Sequence, residues 1–110
     1  MRGLPEAISF LRNAMEITII KKKLKSSEQI LKKQFLVKKI GVFGSYVRGE
    51  QNKKSDLDIL VEFIEDPSMF KFLDLENYLT DLLQIKVDLV MKNALKPHIG
   101  KQILSEVMYV

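Results

Sequence analysis

Val37-Lys38-Lys39-Ile40-Gly41-Val42-Phe43-Gly44-Ser45-Tyr46-Val47-Arg48-Gly49-Glu50, followed after five polar residues by Asp56-Leu57-Asp58-Ile59-Leu60-Val61, is the stretch that decides how this chain is read. Val37 to Phe43 is short, rich in β-branched residues and runs straight into Gly44, which predicts a buried strand ended by a turn. Leu57 to Phe63 repeats the pattern and predicts a second strand. Between them, residues 46–55 are polar with a glycine and suit a short helical turn followed by an exposed loop. Side chains alternate along a strand, so Asp56 and Asp58 project from one face while Leu57 and Ile59 project from the other. Two carboxylates held that close repel unless a cation or a proton neutralises them. A hard Mg²⁺ ion whose shell is completed by triphosphate oxygens is the natural neutraliser.

Downstream, Asp66-Pro67-Ser68 opens a helix, with Phe70, Leu73, Leu75, Tyr78, Leu79 and Leu82 expected on its inward side and its end near Leu83. Ile85 to Met91 predicts a third strand, in which Asp88 stands between apolar neighbours as a candidate third metal ligand. Three carboxylates suffice to hold two Mg²⁺ ions for in-line displacement at an α-phosphate, with Asp88 assisting the attacking hydroxyl. A last amphipathic helix is expected over Pro97 to Val107, with Ile99, Ile103, Leu104 and Val107 facing the core. Upstream, Ser26 to Phe35 reads as a capped amphipathic helix with Ile30, Leu31 and Phe35 on one side. Residues 1–20 suggest a short helix after Pro5, with Ile8, Leu11 and Met15 at helical spacing, and then the β-branched run Ile17 to Ile20. Met15 is an alternative natural start. The sum is an α/β (α+β) layer fold: a small mixed β-sheet of about three strands flanked by helices.

Composition narrows the classes. A chain of 110 residues is one domain, and 46% hydrophobic with 29% charged residues is the balance of a folded globular protein. The absence of cysteine rules out disulfides, thiolate metal sites and a thiol nucleophile. No apolar run is long enough to span a bilayer and no targeting segment is readable, so a cytoplasmic setting without membrane is expected. The net charge of +4 divides unevenly: residues 1–54 hold 13 Lys/Arg against 4 Asp/Glu, and residues 55–110 hold 5 against 10. A basic front beside an acidic patch attracts polyanions, although Lys21, Lys22, Lys23 and Lys25 taken alone read as a solvated helix face.

Gly44 lets the backbone approach a ligand, and Ser45 begins a turn whose amides and hydroxyl can bind phosphate oxygens. Arg48, one helical turn later, offers a guanidinium fork for a phosphate. Each element alone is common; their conjunction at this spacing is what carries the reading. His98, at a helix start, reads as a capping or surface residue, and Tyr46 as packing on its own helix.

On these residues the chain resembles the minimal nucleotidyltransferases of the DNA polymerase beta superfamily, in prokaryotes often antitoxins paired with HEPN-domain toxins. Val42 to Glu50 with Ser55 to Val61 looks like the family signature, Val87 to Val90 like its third-carboxylate strand, and Ile103 to Val110 like its ending. Gln84 stands where a glycine is expected. The resemblance covers roughly residues 24–110, leaving 1–20 as an N-terminal extension to a domain over 21–110. It implies a Mg²⁺-dependent transfer of AMP from ATP to a tyrosine of a HEPN toxin, with Asp56, Asp58 and Asp88 as metal and catalytic residues and Gly44, Ser45 and Arg48 on the nucleotide.

Two other functions compete. A binding module would neutralise its toxin by covering it, and carboxylate variants would still neutralise. A nucleic-acid binder using the basic half would lose affinity steeply with salt, but aromatic residues are scarce among those lysines, so direct nucleic-acid binding is not expected.

Overall fold

The computed structural model describes the backbone of residues 6–110 and the side chains of residues 16–110. Along the chain run α1 (Glu6–Ser26), α2 (Glu28–Phe35), β1 (Val37–Phe43), α3 (Ser45–Arg48), β2 (Leu57–Phe63), α4 (Met69–Leu83), β3 (Val87–Met91), a 3₁₀ turn (Lys92–Ala94), α5 (Pro97–Glu106) and β4 (Met108–Tyr109). The sheet has four strands in the order β3-β2-β1-β4. Strands β1 and β2 are antiparallel, β2 and β3 parallel through the α4 crossover, and β1 and β4 antiparallel, so the sheet is mixed as expected. The fourth strand is an addition to the three read from sequence; at two residues it carries no periodicity to read.

The core forms where alternate strand residues meet one face of each helix. Val42, Leu57, Ile59 and Val61 from the sheet pack with Leu75, Leu79 and Leu83 of α4, spaced four apart, and with Leu31 of α2. Ile17, Ile20 and Leu24 of α1 join the same cluster. The β-branched run Ile17 to Ile20 is therefore helical, continuous with the lysines that follow. Residue 20, where the sequence reading divides extension from domain, lies within α1. The expected spacing of Ile8, Leu11 and Met15 falls outside the described side chains.

Several facing assignments are corrected. Phe70 is 82% exposed and Leu73 45%, because at 100° per residue both fall on the side of α4 opposite Leu75, Leu79 and Leu83, and Ile99 and Leu104 also face outward. On α5 the fully buried position is Gly100, where the helix lies close to Leu95. Pro67 precedes α4, and Ser68 caps the helix by accepting the Lys71 N–H at 3.2 Å. Ser27, not Ser26, precedes α2; Ile30 is turned outward, and β3 starts at Val87 instead of Ile85. Two helices end on non-glycine residues in the left-handed region, Leu36 (φ 54°) and Gln84 (φ 56°). Gln84 donates its N–H to Thr80 O at 2.8 Å and its side-chain amide to Asp81 O at 2.7 Å. This explains why glycine was expected there: the position is a helix C-cap that favours it. Among the described residues no helix is long and apolar enough to cross a membrane.

Candidate active site

Register brings the three aspartates to one end of the sheet. Asp58 pairs with Asp88 across the parallel β2–β3 ladder, so their side chains stand beside each other on one face. Asp56 lies two residues before Asp58, just ahead of β2. Asp56 and Asp58 are partly buried and Asp88 is exposed. Among the described residues no group of three or more His, Cys, Asp or Glu side chains is gathered closely enough to hold a metal ion; Asp58 and Asp88 stand side by side in the sheet, and Asp56 precedes it. Burial above all, then the charges of Asp88 and Asp56, pushes the Asp58 carboxyl up to about 6, with Arg48 opposing the rise and Glu106 adding to it. Loss of solvent is the larger cause and the neighbouring acids add to it.

Gly44 is forced by this arrangement. Its backbone sits at φ 81°, ψ −152°, a region essentially reserved for glycine. A Cβ there would fall within the Asp58 carboxylate at Oδ2. The chain then turns into α3, where the Val47 and Arg48 N–H groups both donate to Gly44 O at 3.1 Å. The Ser45 and Tyr46 amides at the start of so short a helix have no intrahelical acceptor. Tyr46 is buried. That burial, with the charges of Glu16 and Asp56, raises its phenol above the ordinary value. Packing is therefore its role, as the sequence suggests.

Arg48 is less free than the sequence implies. Its Nε donates to Glu50 Oε1 at 2.6 Å and its Nη1 to Glu106 Oε1 and Oε2 at 3.0 and 3.1 Å. Glu106 Oε1 also accepts the Gly44 N–H at 2.9 Å. Neither glutamate was singled out from sequence. Glu50 lies two residues from Arg48, but Glu106 lies 58 away and carries no local signal.

Asp88 is positioned by a helix. β3 is an edge strand, and its Val87 and Leu89 N–H groups donate to Thr80 Oγ1 at 3.1 Å and Glu76 Oε2 at 3.0 Å. Four residues of helix rise about 6 Å and two of strand about 6.6 Å, so side chains one helical turn apart match alternate strand amides. α4 thereby pins the backbone on both sides of Asp88.

An open cleft of about 770 Å³ borders Asp56, lined by Glu16, Tyr46, Lys53, Lys54 and Lys86 among others. Its volume is that of a small-molecule site, although Asp58 and Asp88 lie outside its lining. His98 is exposed on the first turn of α5.

Comparison with known proteins agrees with this geometry. Residues 24–110 match the family model described as a nucleotidyltransferase domain. A candidate protein adenylyltransferase of Methanocaldococcus jannaschii is 55% identical over 86% of this chain and 97% of its own length. The protein adenylyltransferase MntA of Thermococcus cleftensis is 55% identical over 79% of this chain and 88% of its own. Among solved structures, a candidate minimal nucleotidyltransferase superposes with a TM-score of 0.68 at 29% identity, covering 87% of this chain and 93% of that one. A tri-AMPylated HEPN toxin in complex with its MNT antitoxin, from Shewanella oneidensis, shares the fold with a TM-score of 0.55 at 21% identity, covering 79% and 70%. With a turn at Gly44-Ser45, paired acids on β2 and a third on β3, all inside the matched region, the chain belongs to the nucleotidyltransferase domain family and is a nucleotidyltransferase related to the protein adenylyltransferases.

Proposed function

We propose that this chain transfers AMP from ATP to a tyrosine of a HEPN-type toxin and so acts as the antitoxin of a pair. The observation that carries the reading is the Asp58–Asp88 register with Asp56 just ahead of the same strand, close enough that both neighbours help push the Asp58 carboxyl up to about 6. Such a donor set fits Mg²⁺: hard oxygen ligands, excess negative charge and open access from solvent. Asp56, Asp58 and Asp88 would hold it, and when bound it supplies charge neutralisation for a triphosphate.

The chain's own groups account for the remainder. The Ser45 amide and hydroxyl would donate to phosphate oxygens, with Gly44 allowing close approach. Arg48 balances charge as pyrophosphate leaves. Asp88, the most exposed of the three acids, would accept the proton of the attacking phenol. The phenolic oxygen forms a bond to the α-phosphorus, the bond from that phosphorus to the bridging oxygen of the β-phosphate breaks, and pyrophosphate carries away the electron pair. The comparison with protein adenylyltransferases supports ATP as donor and a protein as acceptor, and the AMPylated HEPN complex supports the partner.

Steric masking of the toxin is the second reading. It is favoured by Ile64, Met69 and Phe70, which are 62%, 69% and 82% exposed and lie away from the acids. Assaying RNase activity of the partner with wild-type chain, Asp58→Ala and Asp88→Ala separates the two. Transfer predicts that silencing requires ATP and both aspartates. Equal silencing by the variants without ATP would establish masking instead.

A further inference from the structure

The proposed nucleotide turn is fastened to the C-terminal end of the chain, and the fastening is dictated by strand register. β4 pairs with β1 so that Tyr109 faces Gly41 and Met108 faces Val42. Continuing this antiparallel register by two residues brings Glu106 opposite Gly44. No strand continues there, because Gly44 has already left the extended conformation and Glu106 is the last residue of α5. The Gly44 N–H is taken instead by the Glu106 carboxylate, at 2.9 Å. At Gly41 a Cβ would meet Val107 Cγ2 at 2.8 Å and Met108 O at 3.0 Å, so only glycine admits the C-terminal strand this closely. The Val110 N–H closes the ladder on Ile40 O at 3.0 Å.

The same carboxylate grips Arg48 Nη1 with both oxygens while Glu50 takes Nε. Glu106 therefore ties the first backbone donor of the turn to the last side chain of the four-residue α3. Among the described residues no acceptor holds Arg48 Nη2, so the guanidinium is fixed on one side and left open on the other. Arginine otherwise loses much side-chain entropy on meeting a ligand, and a partner that orients it beforehand lowers that cost.

We propose that Glu106 is a positioning residue for nucleotide binding, presetting Arg48 and the Gly44 turn for the triphosphate. This rests on the reading of Gly44, Ser45 and Arg48 as the phosphate side of the site. The opposite role would be a plug, an internal anion that the triphosphate must displace. The two roles differ in the sign of one measurement.

The test is titration of the full chain with AMP-PNP in the presence of Mg²⁺, using wild type, Glu106→Ala, Glu106→Asp, Glu106→Gln, Arg48→Ala and the Glu106→Ala/Arg48→Ala pair, each checked for folding by circular dichroism. Loss of a charged hydrogen-bond partner predicts about tenfold weaker binding for Glu106→Ala. Glu106→Asp keeps the charge but falls short of the donors, so it weakens binding similarly and serves in its place if Glu106→Ala fails to fold. Glu106→Gln still accepts from Gly44 and from one Arg48 hydrogen, and stays within about threefold of wild type. In the Arg48→Ala background Glu106→Ala weakens binding less than it does alone, since only its hold on the Gly44 N–H is left to lose. In turnover, KM for ATP rises while KM for the protein acceptor is unchanged. Equal or tighter AMP-PNP binding by Glu106→Ala, or full restoration by Glu106→Asp, overturns the positioning role. Wild-type chain that binds no nucleoside triphosphate overturns the functional reading beneath it.

Discussion

Replacing Asp58 by Asn removes a charge that the folded chain holds at a cost, and the size of that cost can be worked out. An ordinary aspartate has a pKa of 3.8; here burial and the neighbouring carboxylates raise it to about 6. The folded chain thus binds this proton more tightly than the unfolded one, so its contribution to stability is greatest below about 3.8 and is lost as pH rises through about 6. Fully expressed, the difference corresponds to about 3 kcal/mol. Asp58 is only partly buried and solvent screens its neighbours, which reduces the expectation to about 1–2 kcal/mol. At pH 8 Asp58→Asn is therefore expected to be more stable than wild type by that amount, a rise of roughly 5–10 °C in Tm for a domain of this size. At pH 4 the gap shrinks to a few tenths of a kcal/mol, because the folded carboxyl is then protonated and the unfolded one only about half ionised. Urea denaturation followed by circular dichroism at the two pH values measures it. Millimolar Mg²⁺ at pH 8 should stabilise wild type more than the variant. A variant less stable than wild type at pH 8, or a gap independent of pH, would refute the claim that the acids are held under electrostatic strain.

Gly44→Ala forces a side chain into a glycine-only conformation and into the Asp58 carboxylate, so it should cost about 1–3 kcal/mol in chemical denaturation and lower transfer activity by about 100-fold through misplacement. Glu76→Ala leaves the Leu89 N–H without its acceptor and should cost about 1–2 kcal/mol, whereas Glu76→Gln retains an acceptor oxygen and most of the stability; faster amide exchange at Leu89 in the alanine variant is the local check. Leu36→Gly relieves a left-handed residue that is 41% exposed, and a gain of about 0.5–1 kcal/mol in thermal unfolding is expected after the added flexibility of the unfolded chain is allowed for.

The parts of this molecule legible in the sequence are those whose signal is local. β1 and β2 were bounded by their β-branched runs and by Gly44, and the aspartates could be assigned to one face because strand alternation acts over two residues. Leu75 and Leu79, read as inward from their spacing of four, lie in the core, and Leu83, read only as the end of α4, continues the same row. Phe70 and Leu73 mislead because every turn of that helix carries apolar residues, and these two lie on the face opposite Leu75 and Leu79. Ile17 to Ile20 resembles a strand by composition, yet Ile17, Ile20 and Leu24 also satisfy helical spacing, and packing against the sheet decides between them. What remained hidden depends on distant register. Glu106 reaches Gly44 only because a two-residue strand pairs with β1, and Glu76 reaches Leu89 only because α4 crosses over to the sheet edge. Neither relation leaves a trace at short range.

The central claim is tested most directly by intact-mass spectrometry of the chain and its neighbour-encoded partner after incubation with Mg²⁺ and each nucleoside triphosphate, with Asp56→Ala in parallel. The account predicts a gain matching one or more AMP units on a partner tyrosine, with ATP as donor, absent with Asp56→Ala. Unchanged mass with every triphosphate, while the two proteins form a tight complex, would contradict it and leave the chain as a nucleotidyltransferase fold that silences its partner by contact alone.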